Sequence, residues 1–322
     1  GMAQMPKLES KTEFMNWKPN NLWDYKKDRN IYYIDHHQSH AAYAYLTSEF
    51  TESDVLAIDG RGYNHNTVFF DKNGTPHDLN LCIGELWDFF SKELGFGTLG
   101  ASKVMGLVGY SKESKHLMNL HLLLDEFWST KNKKHSQHSY IWNKLWTIIQ
   151  QENPRHIAYT LQKATEERVI EAVQAYKTSD NLCVTGGVAY NGYMNELLTK
   201  YWKNVYVPPA PGDEGQALGT YMHADYTLNN NVHIPDVYAG KEYDFIGDEK
   251  VDITEVAQAI ADGKIIGWFQ GKSESGHRAL GNRSILADPR NPKIKGIINQ
   301  TIKQREDFRP FAPSVLEEHY QD

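Results

Sequence analysis

Apolar positions along this chain recur with two periods, near 2 and near 3.6 residues, and the switches between them mark its elements. Up to about residue 30 the chain is polar, carries Trp17, Trp23 and Tyr25, and shows no period. IYYI at 31–34 predicts a short buried strand, and DHHQSHAAYAYLTSEF predicts a helix from about His37 with Asp35 near its start. VLAIDG predicts a strand that ends at Asp59 beside a glycine turn. NTVFF, the hairpin signal Asn73-Gly74 and residues 76–83 predict two further strands. Residues 85–109 combine a helical pattern with a glycine-rich break. The helical pattern of 110–146 is interrupted by STKNKKHSQHS, read as an exposed loop with His135 and His138 solvated and without a role.

From Arg155 to Ser179 one long amphipathic helix is predicted, with Ile157, Leu161, Ala164, Val169, Ala172 and Tyr176 on one face. NLCVTGGVAYN then reads as a buried strand, a Gly-Gly turn and a helix starting near Asn191. NVYVPPAP is a further strand, running into Gly212-Asp213 and a small-residue helix, QALGTYMHA. Residues 229–247 are polar, contain Gly and Pro and lack a long period, which makes them the linker candidate. Beyond them come a helix with Asp252 near its start and a buried strand from Ile265 to Phe269.

Composition sharpens this picture. A length of 322 residues favours two domains, and 40% hydrophobic with 12% aromatic content supports a sizeable core. Net charge −7 argues against a nucleic-acid-coating protein, which needs a basic surface. Cys82 and Cys183 sit in apolar contexts and read as buried thiols, neither a disulfide framework nor a four-cysteine zinc site. No apolar run reaches the roughly 18 to 20 residues of a membrane span, and the cytoplasm is the expected compartment.

Charge is unevenly distributed. Between Lys272 and Arg309 there are nine Lys/Arg and four Asp/Glu, a local net of +5 that leaves −12 elsewhere. Gly271, Gly276 and Gly281 allow close backbone approach there, and Lys272, Arg278, Arg283, Arg290, Arg305 and Arg309 can give charge-assisted bonds to phosphate or carboxylate.

Three further places carry candidate chemistry. His36 and His40 stand four apart, a spacing that brings two imidazoles to one point as a first-row metal requires, although a chain with 14 histidines contains such pairs by chance. Asp59, at the carboxyl end of a strand, can face a phosphate or metal or only satisfy the amides of its own turn. The strand, glycine turn and helix around Gly186 and Gly187 point backbone amides at an anion or form a tight turn alone.

Taken together, HHQSHAA, AIDG, ASKVMGL, TGGVAYN, PPAPGDEGQALG, GKSESGHRALGNRSILADPR and QREDFRPFAPSV resemble, in order, the O-carbamoyltransferase family of nodulation-factor and antibiotic biosynthesis. The resemblance runs from about Ile31 to Val315. It implies an α/β protein: after an N-terminal extension (1–30), an actin-like domain over 31–235 akin to the tRNA threonylcarbamoyl transferases, then over 248–322 part of a domain akin to threonylcarbamoyl-AMP synthases. It implies ATP-dependent transfer of a carbamoyl group from carbamoyl phosphate, through carbamoyl-adenylate, to a hydroxyl of a small molecule or glycoside.

By the same resemblance, His36, His40, Asp59 and Asp213 match a divalent-metal site, with iron the implied ion. Gly186, Gly187 and Asn191 match a nucleotide-contacting turn, and Lys103 lies in a lysine-containing glycine segment. Lys272 and Arg278 match carbamoyl phosphate ligands, and Arg283, Arg305 and Arg309 match by motif. Neither nucleic acid nor membrane is an implied partner.

The chain departs from the family pattern at three points. His277 stands where proline is usual, no histidine-aspartate-serine hairpin precedes Ile31, and no asparagine-threonine-serine-phenylalanine-asparagine segment follows Val315. The expectation is therefore the middle of a longer enzyme, completed by flanking segments, a complementary chain or a homo-oligomer. The alternative is an inactive relative that binds nucleotide or metal.

Overall fold

The computed structural model describes residues 34–60, 66–79, 81–110, 115–130, 135–231, 236–243 and 251–319. Two compact units divide between Asp236 and Val237. The strand expected at 31–34 falls, Ile34 apart, outside the described residues.

The first unit is a five-stranded mixed sheet with helices, an α/β architecture. Its strands are β1 (Asp54–Ile58), β2 (Thr67–Phe70), β3 (Pro76–Asp78), β4 (Asn181–Thr185) and β5 (Asn204–Tyr206), in the spatial order β3-β2-β1-β4-β5. β1, β4 and β5 run parallel, and β2 and β3 continue antiparallel from β1 through the hairpin at Gly74, whose φ is +77°. Side chains alternate across β1. Val55 and Ala57 join Val68, Phe70 and Cys183 in a core with α1 (His36–Thr47) and with Met222 and Tyr226 of α8 (Gln216–Asn229). From β2, Phe69 faces the opposite side, against Tyr176 and Trp202.

Helix α1 is buried from His37 to Leu46, so it lacks the polar face of a surface helix. Asp35 starts it: the carboxylate accepts the amides of His37 (2.9 Å) and Gln38 (3.3 Å). Gly219 lets α1 and α8 touch, since a Cβ there would stand 2.0 Å from the Ser39 carbonyl oxygen. At the start of β1, buried Asp54 accepts hydrogen bonds from Thr178 N, Thr178 Oγ1, Ser179 N and Trp202 Nε1, which fastens the strand to the end of α6 (Pro154–Gln174) and to the chain before β5.

The remaining helices of this unit are α2 (Ile83–Glu93), α3 (Ala101–Val108), α4 (Met118–Thr130), α5 (His135–Gln151) and α7 (Gly192–Leu198). Two expectations change here. The third strand stops at Asp78, and Ile83 instead opens α2, because Ile83, Leu86 and Phe90 share one buried helical stripe. Residues 135–139, read as loop, form the first turns of α5, which runs into the helical spacing of buried Ile141, Leu145 and Ile149. Tertiary burial outweighs the polar composition there. Cys82 and Cys183 are both buried and free. Among the described residues no helix is long and apolar enough to cross a membrane.

The second unit holds α9 (Ile253–Ala261), capped by Asp252, the antiparallel pair β6 (Ile266–Phe269) and β7 (Arg283–Leu286), and a short helical stretch from Ile294 to Lys303. β6 is half-buried to exposed rather than buried, because a lone two-stranded ribbon has few neighbours to cover its faces.

Candidate metal centre

Helix α1 runs antiparallel to β1, so its first turn lies over the carboxyl end of that strand. There the three parallel strands finish, the position at which open α/β sheets hold ligands. Spacing of four places His36 and His40 on one face of α1, Asp59 follows β1, and Asp213 lies in the turn Asp213–Gly215 that precedes α8. One donor atom from each of these four residues falls within 4.8 Å of the others. His36 Nε2 is 2.8 Å from Asp59 Oδ2 and 3.6 Å from Asp213 Oδ1; His40 Nε2 is 3.3 Å and 3.4 Å from the same oxygens.

Burial within the cluster is unequal. The side chain of His40 is 1% exposed and that of Asp213 73%, so the centre is closed on the helix side and open on the Asp213 side. Burial works against the charged His40 ring, but hydrogen bonds to Asp213 and Asp59 reverse this and raise its pKa above the ordinary value. Burial also works against an ionised Asp59, and hydrogen bonds from His36 and His40 more than reverse it, holding the carboxyl well below the usual range. Two imidazoles and two carboxylate oxygens around one point suit a borderline divalent first-row ion.

Asp59 satisfies the amides of its own turn and also turns one oxygen to the histidine pair. While Oδ2 faces the histidines, Oδ1 accepts the amides of Gly60 (2.7 Å) and Gly187 (3.0 Å). The glycine turn after β4 thus connects directly to the four-donor cluster. Its amides are turned inward: Gly186 N donates to Pro211 O, Gly187 N to Asp59, Ala189 N to Gly186 O and Asn191 N to Val188 O. The side chain of Asn191 caps α7 through Met194 N and donates to Gln162 Oε1, and Gln162 in turn donates to buried Glu166. Gly186, Gly187 and Asn191 therefore shape the turn chiefly through internal bonds. Lys103, on α3, places Nζ 6.0 Å from the centre of the Phe96 ring.

In the second unit the segment between β6 and β7 is a structured hairpin loop. Glu274 accepts the amides of Leu280, Asn282 and Arg283. Arg283 lies over the Phe269 ring at 3.6 Å and donates to the carbonyls of Gln270, Gly271 and Asn282 and to Ser273 Oγ. Its guanidinium builds the loop, while Lys272, His277 and Arg278 stand exposed on it. Arg305 bonds to Asn299 Oδ1 and Pro310 O, and Arg309 lies 3.9 Å from Glu306. Desolvation first, then the charge of Arg309, lowers the Arg305 pKa. Arg290 pairs with Asp288 instead.

Sequence reasoning missed three residues beside the cluster. Gln216 bonds to His36, and Glu214 accepts from Gly212 N and from the hydroxyl of Tyr190. Each sits within three positions of a recognised motif residue or inside one, but nothing in the spacing says which side chains meet.

His37, between the two ligand candidates, is 1% exposed, and its pKa falls to about 4, first through burial and then through neighbouring His36. The folded pKa lies below the unfolded one, so this residue's contribution is intact above 6.5 and diminishes as pH falls towards 4. At about 1.36 kcal/mol per pH unit, His37 lowers stability by roughly 2 to 3 kcal/mol across that window. A His37→Phe variant is expected to show a correspondingly flatter profile of urea midpoint against pH. Comparison with wild type isolates His37 from His40, whose shift has the opposite sign; parallel profiles would refute the assignment.

Residues 21–222 match the family model for the carbamoyltransferase N-terminus, and residues 257–322 that for the carbamoyltransferase C-terminus. Nodulation protein NolO of Bradyrhizobium diazoefficiens is 32% identical over 328 residues, covering 88% of this chain and 59% of its own length. Nodulation protein NolNO of Sinorhizobium fredii is 33% identical over 326 residues, covering 89% and 48%. The 3'-hydroxymethylcephem-O-carbamoyltransferase of Amycolatopsis lactamdurans is 37% identical over 145 residues, covering 41% and 27%. The chain spans about half to three-fifths of the length of the first two relatives.

Proposed function

The chain belongs to the carbamoyltransferase family, and from that premise we propose that it takes part in ATP-dependent transfer of a carbamoyl group from carbamoyl phosphate to a hydroxyl of a small molecule or glycoside. The observation that carries this reading is the convergence of His36, His40, Asp59 and Asp213 at the carboxyl end of the sheet. These four residues would hold a divalent first-row cation, iron foremost. When bound, that cation supplies Lewis acidity for the carbamoyl carbonyl.

The chain's own residues do the remaining work. His40 fixes the buried side of the cluster, and Asp59, pinned at Oδ1 by two glycine amides, presents Oδ2 in one orientation. Asp213, the exposed member, leaves the approach for a substrate on its side. In the second unit Lys272 and Arg278 are exposed on the loop braced by Arg283 and Glu274, suited to gripping carbamoyl phosphate and stabilising the departing phosphate. Balance requires one water: carbamoyl phosphate yields carbamate and phosphate, and a carbamate oxygen attacks the α-phosphorus of ATP as pyrophosphate leaves. The acceptor hydroxyl then displaces AMP from the carbamoyl carbon and gives up its proton.

Carbamoyl-phosphate-dependent exchange of labelled pyrophosphate into ATP tests the first half, with the chain alone and with polypeptides from neighbouring reading frames added. Exchange is expected in at least one combination, and to drop at least about tenfold for Arg278→Ala if that charge grips the phosphate. Its absence from every combination would overturn the enzymatic reading.

A further inference from the structure

Each metal-ligating imidazole has a second nitrogen, and the partner of that nitrogen decides which tautomer the ring adopts. The two histidines of the cluster differ in this respect. His40 Nδ1 is buried and has no hydrogen-bond partner among the described residues. His36 Nδ1 lies 2.7 Å from the side-chain amide nitrogen of Gln216, the first residue of α8. The same nitrogen is 3.3 Å from the carbonyl oxygen of His36. That carbonyl can only accept, which favours the amide with its nitrogen inward. His36 Nδ1 is then an acceptor, the ring proton sits on Nε2, and it donates to Asp59 Oδ2 at 2.8 Å.

This arrangement satisfies both ring nitrogens of His36 and withholds the Nε2 lone pair. Loading through Nε2 requires the ring proton on Nδ1, where it needs an acceptor. A glutamine amide provides one by turning over its last torsion, so that Oε1 replaces Nε2. Methionine of similar length serves neither state, and glutamate serves only the loaded one. We propose that Gln216 is the positioning residue that selects the tautomer of His36, donating to Nδ1 while the ring bonds to Asp59 and accepting from Nδ1 by amide reversal when a cation is held. The proposal rests on reading the cluster as a cation site, and its test separates the two.

The measurement combines Co2+ titration by calorimetry with imidazole 15N spectra of the cation-free protein, the His36 signals being assigned with a His36→Gln variant. In wild type without cation, Nε2 should carry the proton and Nδ1 should not; in Gln216→Glu, Nδ1 should become protonated. Co2+ should bind about tenfold or more tighter to Gln216→Glu, the range that outer partners of ligating histidines command, while Gln216→Met, which loses support in both states, should change affinity less. Circular dichroism identifies any variant that fails to fold, and the wild-type spectrum alone still decides which nitrogen is protonated. A protonated Nδ1 in cation-free wild type, or wild-type Co2+ affinity in folded Gln216→Glu, would overturn the proposal. Should wild type bind no Co2+ while its spectra follow the expected pattern, the cation reading fails and the tautomer selection by Gln216 stands.

Discussion

A His40→Ala variant should bind no cation at stoichiometric level, whereas wild type should hold about one per chain. His40 is fully buried, its Nε2 faces both carboxylates of the cluster, and its main chain is fixed inside a helix that is buried for most of its length. Its loss leaves three of the four donors that converge at the cluster. Outer partners of ligating histidines command about 10- to 100-fold in affinity, and loss of a ligand itself should exceed that range. Thermal unfolding gives an independent readout. At a cation concentration near 100 Kd, wild type should gain about 2.7 kcal/mol of apparent stability and His40→Ala none. His37→Phe, one residue from His36 but pointing elsewhere, should retain that gain. Unchanged metal content in His40→Ala, measured by elemental analysis, would remove the histidine pair from the site.

How much of this centre was legible in the sequence depends on how far apart the partners lie. The four-residue spacing of His36 and His40 and the helix cap at Asp35 are local, and pattern alone places them. Asp59 directly follows β1, whereas Asp213 lies in the turn before α8, well past the end of β5, and their convergence, which a family resemblance implied and periodicity did not, depends on the parallel pairing of β1, β4 and β5. The bond from Gln216 to His36 joins residues 180 apart in sequence, and only the crossing of α1 and α8 at Gly219 brings them together. Local composition misled at residues 135–139, whose polarity suggested a loop although the apolar spacing just beyond carries the helix through them. It misled again at β6, where an apolar run predicted burial that a two-stranded ribbon does not supply. Arg283 shows a third kind of illegibility. Its motif match left open whether it meets a ligand or pairs within the protein, and its donors serve the carbonyls of its own loop.

The glycine turn supplies the second large effect, on folding as well as chemistry. Gly186 has φ +90°, and a Cβ there would lie 2.2 Å from the carbonyl oxygen of Ile58, the last residue of β1. Alanine at this position must therefore adopt an unfavourable left-handed backbone, costing about 1–2 kcal/mol, and push apart two paired strands as well. A total loss of about 3 to 5 kcal/mol is expected for Gly186→Ala, at the severe end for a single substitution. Gly192→Ala provides the contrast, because nothing lies within 4 Å of its added methyl and the residue begins α7. That change should be neutral or stabilise by up to about 1 kcal/mol. The damage at Gly186 should also reach the proposed cation site in whatever fraction folds, since the next amide, that of Gly187, holds Asp59 Oδ1. Urea denaturation and Co2+ affinity measured together distinguish the cases. A Gly186→Ala protein as stable as Gly192→Ala would mean that the turn does not pack against β1 as described. A destabilised one with wild-type affinity would mean that Asp59 keeps its orientation without the turn.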